Sequence, residues 1–265
     1  MGERFKRHKR IVHTTKGFAG EGSMKGLIPA AGIGTRLGPI AYAIPKELLM
    51  VGEKACIEHV VEAFKIAGIT DIIIVVGWRK HAILDYFGSG KRLNVSITYV
   101  VQDKRDGLAK AVECARNAIN HDSFAVILGD NFFYPKNFLK DLIAFHKEKQ
   151  SDCTVGVTQM EDVTPYGVIK PGTDRILDIV EKPNADEAPS NLACAGIYVF
   201  KPSIFKAIKK TTPDANQEYQ LTDAIKIMID EKQSVFYKEL KGKHIDIGTP
   251  ERYKMANRFF TNNGL

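Results

Sequence analysis

Between residues 24 and about 157, short apolar runs alternate with segments of helical periodicity, and few architectures accept such a chain. Residues 25–31 read as a strand. Residues 56–67 place Ile57, Val60, Val61, Phe64 and Ile66 near helical spacing, and Gly68 stops the helix. A second strand, 71–77, is rich in β-branched residues. Helices over 80–87, 107–118 and 136–149 and strands over 95–101, 123–129 and 152–158 continue the pattern. This alternation predicts an α/β fold with a mostly parallel sheet and helices on both faces. Ligands of such a sheet bind in the crevice outside the carboxyl ends of its strands.

After Val157 the rhythm changes. Runs at 167–171, 175–181 and 193–200 are separated by Pro171-Gly172, Pro183-Asn184 and Pro189-Ser190, which predicts antiparallel strands of a smaller lobe. Helices around 203–209 and 219–231, a strand near 234–240, the segment 244–248 and a last helix from Pro250 follow. The expected parts are 24–158 and 159–265, sharing one sheet. Residues 1–23 form a basic tail outside the fold: six Lys and Arg against Glu3 and Glu21 give +4 of the chain's net +7. The basic balance therefore belongs mostly to a tail and does not predict a nucleic-acid-binding face. The longest apolar run, 72–76, has strand length, so no membrane partner is expected. Cys56, Cys114, Cys153 and Cys194 lie far apart with no CxxC pair, as expected of buried apolar residues in a reducing, cytoplasmic setting. No HExxH, His-x-His or GxSxG motif occurs, which argues against a zinc site and a serine nucleophile.

The chemistry begins where the first strand ends, at Ala30-Ala31-Gly32-Ile33-Gly34-Thr35-Arg36-Leu37. Glycines let backbone N–H groups approach phosphate oxygens with no side chain in the way. The loop lacks the GxxxxGK[ST] pattern, and Leu37 stands where a dinucleotide fingerprint needs its third glycine. Arg36 and Lys46 add a fork and a point charge, the pair that a triphosphate losing pyrophosphate requires. Gly129-Asp130-Asn131 ends another strand on a carboxylate, placed either to hold Mg²⁺ against phosphates or to cap a turn.

The string Gly32-x-Gly34-Thr35-Arg36-Leu37, with Pro39 and Pro45-Lys46, resembles the signature of the sugar-phosphate nucleotidylyltransferases. Within them it is most similar to glucose-1-phosphate thymidylyltransferases and uridylyltransferases. Five motifs in order carry the resemblance from Met24 to about Tyr253. It implies a Rossmann-like fold of the nucleotide-diphospho-sugar transferase type and an enzyme joining a nucleoside triphosphate to a sugar 1-phosphate. By resemblance, Ala31, Gly32, Gly34, Thr35 and Arg36 bind the nucleotide, while Gln102 and Gly107 read its base. Asp246, in Asp246-Ile247-Gly248-Thr249, shares Mg²⁺ with Asp130, and Arg36, Lys46, Asp130 and Asp246 form the catalytic set. Gly167, Glu181, Lys182 and Gly196 take the sugar phosphate. Two positions depart from the family pattern: Ile245 replaces a frequent large aromatic, and Ala195 replaces a frequent Thr.

The substrates divide the motifs. Ile44-Pro45-Lys46-Glu47-Leu48-Leu49 and Gln220-Leu221-Thr222-Asp223-Ala224-Ile225 lean towards uridylyltransferases, whereas Gly107-Leu108-Ala109 and Gly129-Asp130-Asn131-Phe132 lean towards thymidylyltransferases. The latter segments belong to the nucleotide site by resemblance, so dTTP with glucose 1-phosphate is the expectation and UTP the alternative. A reading of another class is a catalytically silent sensor or assembly subunit, which would be betrayed by loss of an acidic or cationic site residue. The family also implies a homo-oligomer. A regulatory nucleotide site like that of longer thymidylyltransferases is expected to be reduced or absent.

Overall fold

The computed structural model describes residues 11–12, 24–119 and 122–264. Its strands are β1 (Ile11–Val12), β2 (Lys25–Ala30), β3 (Met50–Val51), β4 (Lys54–Ala55), β5 (Asp71–Val76), β6 (Ser96–Val101), β7 (Phe124–Ile127), β8 (Asn131–Tyr134), β9 (Cys153–Gln159), β10 (Gly167–Pro171), β11 (Ile176–Glu181), β12 (Leu192–Phe200), β13 (Val235–Glu239) and β14 (Lys243–Asp246). Its helices are α1 (Pro39–Ala43), α2 (Cys56–Ile66), α3 (Lys80–Phe87), α4 (Leu108–Cys114), α5 (Arg116–Ile119), α6 (Phe138–Glu148), α7 (Ile204–Ile208), α8 (Leu221–Asp230) and α9 (Pro250–Asn262).

Strands β6, β5, β2 and β7 lie side by side and parallel, with Gly26 opposite Ile72 and Ala30 opposite Val76. Successive residues point to opposite faces. Leu27, Ile73 and Val75 pack with Val112, Phe205, Ile225 and Met228 from α4, α7 and α8. Ile28, Ile72 and Ile74 pack with Val60, Phe64, Leu139 and Leu142 from α2 and α6. Burial on both faces is why these strands read as nearly continuous apolar runs.

β12 joins β7 antiparallel, β9 joins β12 antiparallel, and β13 runs parallel to β9, while β10 and β11 complete the second part. Strands on both sides of residue 158 thus belong to one ten-stranded sheet. The expected α/β architecture, mostly parallel at its centre with an antiparallel extension, is the one observed. The tail predicted over 1–23 lies outside the described residues apart from Ile11 and Val12, which pair with Val100 and Tyr99 at the edge of β6.

Three details differ from the sequence reading. The helix expected over 107–118 is two helices, because bonds from Ala115 N to Val112 O and from Ala118 N to Ala115 O tighten the chain into a turn. The helix expected from 219 begins at Leu221, because the Tyr219 backbone is already engaged: its N–H donates to Asp106 O (2.8 Å) and its carbonyl accepts from Ala109 N (3.0 Å). Two short antiparallel pairs, β3–β4 and β8–β14, have no counterpart in the periodicity.

A third apolar cluster, including Leu37, Val51, Cys56, Phe132, Ile245, Ile247 and Ala256, seats α9 beneath the glycine loop. Gly52 closes this packing. Its N–H donates to Asn257 Oδ1 (3.0 Å), its φ is +63°, and a Cβ there would lie 2.1 Å from the Phe260 ring. Gly52→Ala is expected to lower stability by about 2–4 kcal/mol, combining left-handed strain with overpacking. Denaturant unfolding checks this, and an unchanged midpoint would contradict the packing. Cys56, Cys153 and Cys194 are buried without a disulfide. Among the described residues no helix is long and apolar enough to cross a membrane.

Candidate active site

The carboxyl ends of β2, β6 and β7 open into a cleft of about 800 Å³. The glycine loop leaves β2 at Ala31, passes Gly34 at φ +75°, and enters a 3-10 turn over Thr35–Leu37. Leu37 is 2% exposed and belongs to the cluster under α9. The residue that spoils the dinucleotide fingerprint is thus a packing anchor, and Thr35 and Arg36, in the same turn, remain exposed.

Lys46 follows Pro45 in a second 3-10 turn. Its stem lies along the glycine loop: a Cβ on Gly32 would meet its Cε at 3.6 Å, and one on Gly34 its Cβ at 3.3 Å. Its ammonium is paired with Asp130 Oδ2. Burial alone would lower the lysine, but the Asp130 and Glu47 carboxylates override it and hold the ammonium above the ordinary lysine range. Burial likewise opposes the Asp130 charge, and Lys46 overrides it, so that carboxyl stays below its usual value. Glu47 is 2% exposed with Oε2 unpartnered, and burial pushes its carboxyl up to about 7 against the pull of Lys46.

Asp246 reaches the same place from a distant part of the chain. Pairing of β14 with β8 sets Asp246 opposite Asn131, and Ile247 N donates to the Asp130 carbonyl at 3.0 Å. Both carboxylates line the cleft. Asp246 Oδ2 accepts from Tyr166 Oη (2.7 Å) and Arg252 Nη1 (2.6 Å), and Oδ1 accepts from Gly248 N (3.2 Å). Burial and the neighbouring Asp246 charge keep the Tyr166 hydroxyl protonated well above the ordinary tyrosine range. Arg36 approaches the same turn, since a Cβ on Gly248 would lie 3.0 Å from its Nη2.

At the end of β6, Gln102 is buried and donates from Nε2 to Asp106 Oδ1 (3.0 Å) and to the Gly107 carbonyl (3.2 Å). Gly107 has φ +100°, and a Cβ would sit 2.5 Å from the Tyr219 backbone, so no other residue fits without rearrangement. Across the cleft, Gly196 (φ +63°) lies in the register shift of β12 against β9. Its carbonyl accepts from Leu128 N, and Asn131 Nδ2 donates to the adjacent Ala195 carbonyl at 2.6 Å. Lys182 lines the cleft, 3.3 Å from Glu181 Oε1, and Glu181 Oε2 accepts from the Thr222 hydroxyl (2.8 Å).

Of the residues named from sequence, Ala31, Gly32, Gly34, Thr35, Arg36, Lys46, Gln102, Gly107, Asp130, Lys182, Gly196 and Asp246 line one cleft. Gly167 and Glu181 adjoin it: a Cβ on Gly167 would stand 3.1 Å from Glu181 Oε2 and 3.5 Å from Cys194 Sγ, itself on the wall. Sequence reasoning missed Glu47, Arg105, His244 and Arg252, which also line the cleft. Burial lowers the His244 imidazole to about 4, leaving it neutral. For Arg252 a signal existed: Thr249-Pro250 caps a helix, with Thr249 Oγ1 accepting from Arg252 N, which fixes the arginine in the first turn.

A family model for nucleotidyl transferases matches residues 25–263. The chain belongs to the nucleotidyl transferase family. It is 38% identical over 252 residues to the UTP–glucose-1-phosphate uridylyltransferase of Bacillus subtilis, covering 84% of this chain and 86% of that protein. A solved UDP-glucose pyrophosphorylase in complex with UDP-glucose is 34% identical, with a TM-score of 0.84, and the match covers 91% of this chain and 99% of the other. A candidate glucose-1-phosphate thymidylyltransferase of Bacillus anthracis, in complex with sucrose, is 33% identical with a TM-score of 0.82, covering 89% and 95%. This nucleotidyltransferase is an enzyme of the sugar-phosphate class.

Proposed function

We propose that the cleft joins UTP to glucose 1-phosphate, releasing pyrophosphate and forming UDP-glucose, with Mg²⁺ as cofactor. The observation that carries this reading is the meeting of the Lys46–Asp130 pair with Asp246 at the glycine loop, through the β8–β14 pairing. The donor set suits Mg²⁺. Among the described residues no three acidic, His or Cys side chains are placed to hold a metal ion, but Mg²⁺ shared with phosphates needs only one or two carboxylates and water. Asp130 and Asp246 would hold it, and when bound it would neutralise charge on the phosphates it touches.

The chain's own groups do the rest. Residues 24–158 supply the nucleotide side: backbone of the 32–35 loop faces the phosphates, and Gln102 with Gly107 contacts the base. Residues 159–265 supply the sugar side. Lys182 holds the phosphate of glucose 1-phosphate, and Glu181, oriented by Thr222, accepts hydrogen bonds from sugar hydroxyls. A phosphate oxygen of the sugar attacks the α-phosphorus in line, and the bond to the pyrophosphate oxygen breaks. Because the attacking phosphate is already an anion, no protein nucleophile is required; catalysis consists of positioning and charge stabilisation. Arg36 and Lys46 stabilise charge growing on the pyrophosphate.

The thymidylyltransferase-like segments favour dTTP; the relatives named for UTP and for UDP-glucose support UTP as the preferred nucleotide. One methyl group separates the two bases, and a pocket distinguishes a methyl by only about 1–3 kcal/mol. Pyrophosphate release with Mg²⁺ and glucose 1-phosphate should therefore be fastest with UTP, measurable with dTTP, and far slower with CTP, ATP and GTP. Release with none of the five would overturn the proposal. The buried, unbridged cysteines support a cytoplasmic setting.

A further inference from the structure

Each of the two carboxylates assigned to the metal already carries a cation. Lys46 on Asp130 belongs to a recognised motif, whereas Arg252 on Asp246 does not. The Arg252 side chain is 24% exposed and lines the cleft. Its guanidinium carbon stands 5.1 Å from the centre of the Tyr166 ring, which holds it by a cation–π contact independent of Asp246. Each carboxylate is therefore paired with a cation before any metal arrives. Asp246 Oδ2 accepts both Arg252 and Tyr166, and Oδ1 accepts Gly248 N–H, so a divalent ion must compete with the guanidinium for this carboxylate. A guanidinium displaced from Asp246 keeps its aromatic neighbour and its remaining donors. Tyr166 also ties this corner to the sugar side, because its carbonyl accepts from Lys182 N at 2.9 Å.

We propose that Arg252 is a place-holder cation: it neutralises Asp246 while the cleft is empty and turns to the phosphate of the sugar 1-phosphate once Asp246 engages the metal. The exchange spares the half-buried Asp246 an unpaired charge in either state and adds a planar fork beside Lys182 for the attacking phosphate. The proposal rests on the reading of Asp246 as a Mg²⁺ ligand.

The role predicts shifts of opposite sign, which a merely structural arginine would not give. In Arg252→Met, removal of the competitor should tighten Mn²⁺ binding to the substrate-free enzyme by roughly 10-fold or more, read by water-proton relaxation. The same variant should raise the KM for glucose 1-phosphate by about 10- to 100-fold and leave the KM for UTP nearly unchanged. Arg252→Lys should show both shifts, reduced, since lysine keeps the charge without the fork, and it takes the place of Arg252→Met if that variant does not fold. No gain in Mn²⁺ binding, or loss of both Mn²⁺ and sugar phosphate, overturns the proposal. Asp246→Asn separates the two readings: wild-type Mn²⁺ binding in that variant refutes the metal assignment, whereas weakened binding there without a gain in Arg252→Met refutes only the place-holder.

Discussion

Asp130→Asn should lower kcat by on the order of 10²–10³-fold while changing both KM values far less. Asp130 stands where two demands meet: it holds Lys46 against the glycine loop, and it is one of two carboxylates facing the proposed metal position. Asparagine keeps the shape and removes the charge that both tasks use. Breaking a buried ion pair by removing one partner costs about 3–5 kcal/mol when the remaining charge has no other partner. Here Glu47 adjoins Lys46, so the loss of stability should fall below that range. Measuring kcat well below the variant's unfolding temperature separates the two effects. Wild-type turnover in Asp130→Asn would remove Asp130 from the catalytic set.

Lys46→Met should match that loss of kcat and carry the larger cost in stability, about 3–5 kcal/mol, because Asp130 then keeps its charge in a buried place without its ammonium. The pH dependence supplies the sign. In the wild type the Asp130 carboxyl is held below its ordinary value, so its contribution to stability is complete above the ordinary carboxyl range and is lost as pH falls through the folded value. Without Lys46, burial pushes the same carboxyl upward, and the folded state then binds a proton that the unfolded chain does not. Acidification from pH 7 towards 5 should therefore raise the variant's unfolding midpoint relative to that of the wild type. Glu47, whose carboxyl Lys46 also pulls down, shifts in the same direction. Thermal unfolding across that interval checks it, and parallel curves would show that Lys46 sets the state of neither Asp130 nor Glu47.

The central sheet was legible because strands buried on both faces must be apolar along their length, as 71–76 is, and the helices between them must show a 3.6-residue stripe. The glycine loop and Asp130 were legible for a local reason: each lies just beyond a carboxyl end of that sheet, where such folds place ligands. Lys46 was legible from Pro45 beside it and from Arg36 ten residues earlier. What joins them was not local. The pairing of β8 with β14 spans more than a hundred residues between Asn131 and Asp246, and nothing in either four-residue segment names the other. Arg252 was hidden similarly, since its partner lies six residues earlier and only the helix cap at Thr249 turns the arginine back towards it. Glu47 reads as an ordinary charged neighbour of Lys46, and only the packing that excludes water from it raises its carboxyl to about 7. The bulge at Ala195-Gly196 is also a product of pairing, because β12 changes register between Cys194 and Ile197.

The proposed reaction is a single displacement at the α-phosphorus, with the sugar phosphate attacking directly from across the cleft. Burial keeps the Cys194 thiol and the Tyr166 hydroxyl, both on the wall, protonated and weakly nucleophilic. The most direct test uses UTP carrying a single sulfur on its α-phosphorus in one known configuration, with the configuration of the UDP-glucose product determined. One displacement predicts complete inversion at phosphorus. Retention would require a nucleotidyl-enzyme intermediate and would contradict direct attack by the sugar phosphate.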